Sequence, residues 1–319
     1  MKPLYTLFGC VLVLPLFAAN ASAQTVSLIT TPAGSFSNSA GSAIAKVVSE
    51  KGRVRMIVQA QATSGFEELE AGTSEFNVGN SFDAVFFATG TGEYEGQGAH
   101  KNVRYFGTLI PYRVAMHVRA SSPIKTIADL RGKRVSSGYN AQKTIARIIE
   151  AHLANAGMSY KDVVGVPAPN VVRAAEDFKS GRVDVLFFAL GSAAIKEANA
   201  AVGGLRVLAI DDSPDALKRM EAILPGSYTT VVNPAAAFDG ITQPTRLVAF
   251  DMTLNASVSV SEDIGYRVAK ALYENKQELA QTFPPFALFD PAKLGKPNGA
   301  LAIQPGALKF YQEIGQAQK

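Results

Sequence analysis

The chain has 319 residues, of which 47% are hydrophobic and 18% are charged. This length and composition exclude a disordered chain and are typical of one large globular domain or two of ordinary size. A net charge of +4 gives no indication of nucleic-acid binding, although it can favour an anionic ligand.

The first 23 residues have the pattern of an export signal. Lys2 precedes an apolar run from Leu4 to Ala19, and the small-x-small pattern of signal peptidase follows at 21–23. We therefore predict cleavage after Ala23 and a periplasmic location. A membrane anchor is the alternative, but the run is shorter than the roughly 20 residues that span a bilayer. Cys10 is the only cysteine, so the mature protein would form no disulfide.

Strand-like and helical segments alternate along the chain after the signal. In the first part, predicted strands at 26–30, 54–59 and 76–79 are separated by helical patterns at 40–49 and 64–69. This β-α-β-α-β order predicts an α/β unit with a mostly parallel sheet flanked by helices.

The same alternation restarts in the middle of the chain and predicts a second α/β unit. Strands are expected at 103–109, 114–118, 133–137, 183–188 and 205–210, and helices at 127–130, 143–156, 172–180 and 216–222.

The last third is expected to return to the first unit. Residues 246–257 form an extended stretch, Ser261 is the predicted N-cap of a helix that runs to Phe283, and Phe310 and Tyr311 lie in a final helix.

Four loops rich in Gly, Ser and Thr follow predicted strands, at 31–37, 62–65, 138–144 and 189–192. Ligands of open α/β sheets bind at the carboxyl ends of strands. Three of the loops lead into helix N-termini, which favour a carboxylate or phosphate. Tight turns without a ligand are the alternative. The candidate binding residues in these loops are Ser35, Phe36, Ser64, Gly138, Tyr139, Gln142, Lys143, Thr144 and Gly191.

Charged and amide side chains near these loops are further candidates. Lys143 lies in the first turn of a helix, where a cation opposes the dipole unless an anion is near; the alternative is a solvent-facing lysine. Arg113 lies between two strands that could link the units, where it could hold a carboxylate or form a surface ion pair. Asn80 and Asp83 could cap the next helix or line a pocket, and Asp251 could be structural or functional.

The sequence contains no pattern of a catalytic or metal site. His100, His117 and His152 lack metal-ligand spacing, and no nucleophile elbow or phosphate-loop motif occurs. We therefore expect no cofactor, no metal and no enzymatic activity.

Four motifs in order resemble the TAXI receptors, the solute receptors of tripartite ATP-independent periplasmic (TRAP) transporters. Residues 129–138 resemble the family's "DLkGKrVsvG" motif, and 181–187, 266–275 and 305–311 resemble its later motifs. The sequence departs from the family at 34–38, where a Gly-Thr-Tyr-Tyr pattern is usual, and at 142–144, where Ser-Gly-Thr is usual. Both departures fall in loops expected to bind the ligand.

The resemblance implies a two-lobed, type II-like periplasmic-binding-protein fold with a ligand enclosed between the lobes. We expect lobe I at 24–115 plus about 230–319, lobe II at about 116–229, and a hinge near 112–118 and 228–252. The expected function is a monomeric receptor that captures a small anionic, carboxylate-bearing metabolite and delivers it to the membrane permease subunits of a TRAP transporter. The alternatives are a binding protein of an ATP-driven uptake system or sensor kinase, and an exported enzyme on the same fold.

Overall fold

A computed structural model describes residues 24–299 and 301–317. The predicted signal peptide, with Cys10 and the cleavage site after Ala23, lies outside these residues. The strands are β1 (Thr25–Thr30), β2 (Arg55–Ala60), β3 (Phe76–Asn80), β4 (Val103–Arg119), β5 (Arg134–Gly138), β6 (Val164–Ala168), β7 (Leu186–Ala189), β8 (Leu205–Leu208), β9 (Tyr228–Val232) and β10 (Thr245–Ser257).

Most helices lie where apolar residues recur at helical spacing. They are α1 (Phe36–Lys51), α2 (Phe66–Ala71), α3 (Ser81–Thr89), α4 (Lys143–Asn155), α5 (Val171–Lys179), α6 (Ala193–Ala201), α7 (Pro214–Ile223), α8 (Glu262–Glu274), α9 (Lys276–Thr282) and α10 (Pro305–Glu313). Ser261 caps α8 as predicted, since its side chain accepts a hydrogen bond from Ile264 N. The single helix expected up to Phe283 is two helices, which meet at Asn275.

The main sheet has the strand order β2-β1-β3-β10-β4-β7, with β8 also on β4 and β9 also on β10. β1 pairs in parallel with β2 and β3, whereas the pairings of β4 and β10 are antiparallel. β5 and β6 form a separate parallel pair. The predicted α/β class is confirmed; the sheet differs from a mostly parallel one because two long strands enter it from the opposite direction.

The long strands β4 and β10 connect two parts of the molecule. β4 has 17 residues; up to Val114 it pairs with β10, and from Val114 onward it pairs with β7 and β8. β10 pairs with β9 over Thr245–Ala249 and with β3 over Met252–Ala256. The sequence predicted two strands where β4 is continuous, because Pro111 and Arg113 interrupt the apolar pattern.

On either side of these strands the helices pack into two groups. Half I contains β1–β3, α1–α3, the turn at 92–94 and α8–α10, and half II contains β5–β9 and α4–α7. Both halves share one apolar core cluster that continues through β4 and β10. The two predicted lobes and their boundaries stay a prediction.

Candidate functional site

A cavity of about 90 Å³ lies between half I and half II. Half I contributes the loop before α1 and the start of α3, half II contributes α4 and the end of β7, and the long strands close the space between them. Its polar lining side chains are Thr31, Ser35, Ser37, Ser64, Asn80, Asp83, Tyr112, Gln142 and Thr144.

A cluster of hydroxyl groups forms the side of the cavity at the N-terminus of α1. The Thr31 hydroxyl donates to Ser35 Oγ at 2.8 Å and also contacts Ser37 Oγ. Ser35 caps α1 by accepting from Asn38 N at 3.2 Å. Gly34 has φ +87°, a conformation that favours glycine and turns the chain into the helix. The loop thus places short donors and acceptors against the cavity.

Asp83 is the buried carboxyl group of the cavity. It lies in the first turn of α3, whose N-cap Asn80 accepts from Asp83 N at 2.8 Å. Only 3% of Asp83 is exposed. Its Oδ2 accepts from Thr144 Oγ1 of half II at 3.3 Å, while Oδ1 has no hydrogen-bond partner of normal geometry. Asn80 therefore caps the helix and also lines the cavity, so it has both of the roles that the sequence left as alternatives.

The environment of Asp83 favours its neutral form. Burial raises the pKa of Asp83 from 3.8 to about 7, because the ionised carboxylate loses its hydration. The hydroxyls of Tyr94 and Thr144 lower this pKa, and the negative charge of Glu93 raises it. The carboxyl therefore changes charge near neutral pH.

Aromatic rings form a continuous wall of the cavity. The ring centroids of Phe36 and Tyr112 are 5.1 Å apart, and those of Tyr112 and Phe250 are 5.5 Å apart. Burial raises the pKa of Tyr112 above its usual range, so its hydroxyl stays protonated at neutral pH. The wall offers flat apolar surface with one hydroxyl group.

Side chains of α4 and of the 92–94 turn join the halves beside the cavity. Arg147 forms an ion pair with Glu93, and its guanidinium carbon lies 5.2 Å from the centre of the Phe86 ring. Lys143 is exposed, and its Nζ lies 5.4 Å from the centre of the Tyr94 ring. These contacts hold the two halves close together over the cavity.

Six of the predicted binding residues line the cavity: Ser35, Phe36, Ser64, Asn80, Gln142 and Thr144. Gln142 also precedes α4, and its Oε1 accepts from Val171 N at 2.9 Å.

The other six are not among the lining residues. Gly138 is exposed, Tyr139 is fully buried in the turn before α4, and Gly191 lies beside Phe36. Arg113 lies over the Phe238 ring at 4.5 Å, and burial lowers its pKa. Lys143 lies outside, as described above. Asp251 accepts a hydrogen bond from the Tyr228 hydroxyl at 2.9 Å.

The alternation of side chains along a strand explains part of this outcome. Tyr112 and Val114 of β4 face the cavity, and the residue between them, Arg113, faces away. In β10 the same alternation places Phe250 at the cavity and Asp251 outside. Tyr112 and Phe250 were not predicted from the sequence. The alternation of side chains along each strand was the signal that could have indicated them.

Some common features are absent from the part of the chain that the structure describes. Across residues 24–299 and 301–317, no group of three or more His, Cys, Asp or Glu side chains could hold a metal ion. In the same ranges, no helix has both the length and the apolar character to cross a membrane.

Solved structures of periplasmic binding proteins share this fold. A periplasmic transporter matches with a TM-score of 0.56 and 16% identity, over 93% of this chain and 94% of that one. The binding protein component of a phosphonate ABC transporter from Pseudomonas aeruginosa matches with a TM-score of 0.54 and 8% identity, over 84% and 80%. The alkanesulfonate-binding protein of Xanthomonas axonopodis pv. citri, bound to MOPS, matches with a TM-score of 0.51 and 16% identity, over 92% of each chain.

These matches confirm the predicted periplasmic-binding-protein fold. At 8–16% identity these structures show the fold of the chain, and its role as a solute-binding protein without enzymatic activity stays a prediction. The family model that matches residues 28–315 is described as NMT1-like, and the narrower resemblance to TAXI receptors stays a prediction. The chain belongs to the NMT1-like family.

Proposed function

We propose that the protein is a periplasmic solute-binding protein that encloses a small molecule between its halves and delivers it to an ATP-driven transporter. The observation that carries this proposal is the cavity itself, which lies between the halves and takes its lining from both. A solute bound there would stabilise the closed arrangement, as expected of a receptor that signals its loaded state.

The proposal assigns half I to the predicted lobe at 24–115 plus about 230–319 and half II to the lobe at about 116–229. Bending would occur near 112–118 and 228–252, where β4 and β10 exchange partners between the halves. Export would depend on the predicted signal at residues 1–23.

An ATP-driven transporter fits better than the TRAP permease that the TAXI resemblance suggested. Two structures that share this fold are binding proteins of ABC transporters, one for phosphonates and one for amino acids. A gene for an ATPase subunit beside this gene would support the proposal, whereas genes for the large and small TRAP permease subunits would contradict it.

Two variants in which an alanine is replaced by phenylalanine test the binding site. Ala189 lines the cavity at the end of β7, and Ala193 is exposed at the start of α6. A solute retained during native purification should be detected by mass spectrometry with the wild type and Ala193→Phe, but not with Ala189→Phe, whose ring would fill the cavity. Equal retention by both variants would show that the cavity is not the binding site.

A further inference from the structure

The charge inside the cavity differs from what an anion receptor requires. Among the described lining residues, Asp83 is the only carboxyl group, and Lys, Arg and His are absent. The two predicted anion ligands, Lys143 and Arg113, instead contact the rings of Tyr94 and Phe238. Above about pH 7 an anion in this cavity would therefore meet the Asp83 carboxylate and no compensating cation.

The carboxyl group of Asp83 has unused bonding capacity. A carboxylate can accept about four hydrogen bonds. Asp83 accepts one from Thr144 through Oδ2 and is approached by the Tyr94 hydroxyl, while its fully buried Oδ1 lacks a partner of normal geometry. Burial of such a group is costly unless a donor or a cation reaches it.

Groups on the surrounding elements increase the negative potential around Asp83. Glu67 of α2 and Glu93 of the 92–94 turn both act on it, and only Glu93 is paired, with Arg147 of α4. Tyr94, Tyr112 and Thr144 approach from the other sides as neutral hydroxyls.

The dipole of α3 does not offset this potential for an external anion. The positive end of α3 is already faced by Asp83, which lies in its first turn.

The aromatic wall also suits a positively charged ligand. Phe36, Tyr112 and Phe250 line the cavity with aromatic rings, and the faces of such rings attract cations and planar groups. A carboxylate beside such a wall is the arrangement that binds an ammonium or another protonated nitrogen attached to an apolar body.

We propose that the solute carries a positively charged nitrogen that binds the Asp83 carboxylate, with its apolar or planar part against Phe36, Tyr112 and Phe250. This assignment rests on the proposed solute-binding function and specifies its ligand class as small organic cations, such as primary amines, amidines or protonated heterocycles. It replaces the carboxylate-bearing metabolite expected from the sequence.

A matched set of probes tests the charge of the ligand. Benzylamine, benzoate and benzyl alcohol have similar size and differ in charge at one position. At about 10 mM and about pH 8, benzylamine should raise the melting temperature of the wild type by several degrees, and the other two should not. The shift should be lost in Asp83→Asn and retained in Asp251→Asn, which removes a carboxylate outside the cavity.

The pH dependence gives an independent readout. Benzylamine stays protonated at about pH 6, whereas Asp83 becomes neutral. The affinity of the protein for benzylamine should therefore fall about tenfold per pH unit below pH 7. Benzoate binding to the same site would instead strengthen with falling pH, because the repelling charge is removed.

The outcomes separate this inference from the proposed function. A shift from benzoate or benzyl alcohol without one from benzylamine would overturn the cationic ligand and leave solute binding intact. A benzylamine shift that persists in Asp83→Asn, or no shift with benzylamine at all, would also overturn the inference. A protein that retains no solute on native purification and responds to none of the three probes would contradict both proposals.

Discussion

Replacement of Asp83 by asparagine should make the ligand-free protein more stable at neutral and alkaline pH. The native pKa of Asp83 is raised to about 7 from 3.8, so the native state holds its proton more tightly than the unfolded state. The free energy of unfolding therefore falls as pH rises between these two values, and the whole loss applies above pH 7.

The size of this effect follows from the interval between the two pKa values. Each pH unit corresponds to about 1.4 kcal/mol, which gives a penalty of about 4 kcal/mol for the ionised carboxylate above pH 7. Asparagine has nearly the same shape and no charge to desolvate. We expect Asp83→Asn to gain about 2–4 kcal/mol over the wild type at about pH 8 and to match it near pH 4.

Urea unfolding at a series of pH values, followed by circular dichroism, measures this difference directly. Asp215→Asn serves as the control, since Asp215 is exposed at the start of α7 and its replacement removes the same charge. A constant difference between Asp83→Asn and the wild type from about pH 4 to about pH 8 would refute the reasoning. So would a variant that is less stable than the wild type at about pH 8.

Three further outcomes are expected. Glu93→Gln removes the ion pair with Arg147 that joins the halves, and it should weaken binding of the most stabilising probe about two- to fivefold in calorimetry, while Glu262→Gln, at an exposed pair, should have no effect. Gly306→Ala should cost about 1–3 kcal/mol in urea unfolding, because a Cβ there would overlap the carbonyl oxygen of Glu262 where α10 packs on α8; unchanged stability would contradict this contact. Burial lowers the pKa of His117 from 6.5 to about 4, so stability should fall as pH decreases through that interval, and NMR should show its imidazole neutral down to about pH 5.

Local sequence patterns predicted the elements well wherever neighbouring residues determine them. The amphipathic pattern placed α4 within one residue of its observed end, and Ser261 marked the start of α8 because its side chain satisfies a free backbone N–H. The loops before α1 and α4 were correctly expected to lead into helices.

Features that depend on distant parts of the chain were not predictable in this way. The continuity of β4 through Pro111 depends on its pairing with β10, which begins more than a hundred residues later. Asp83 became a site residue only in the folded structure, where Thr144 of the other half donates a hydrogen bond to its carboxyl group. A cation such as Lys143 attracts attention in a sequence, but only the packing shows that its side chain leaves the cavity.

The shared strands also determine how the molecule should unfold. Since β4 and β10 supply backbone hydrogen bonds to both halves, loss of either half would leave long unpaired strand edges in the other. We therefore expect one cooperative denaturation transition, and neither half should persist as an independent folding unit when expressed alone.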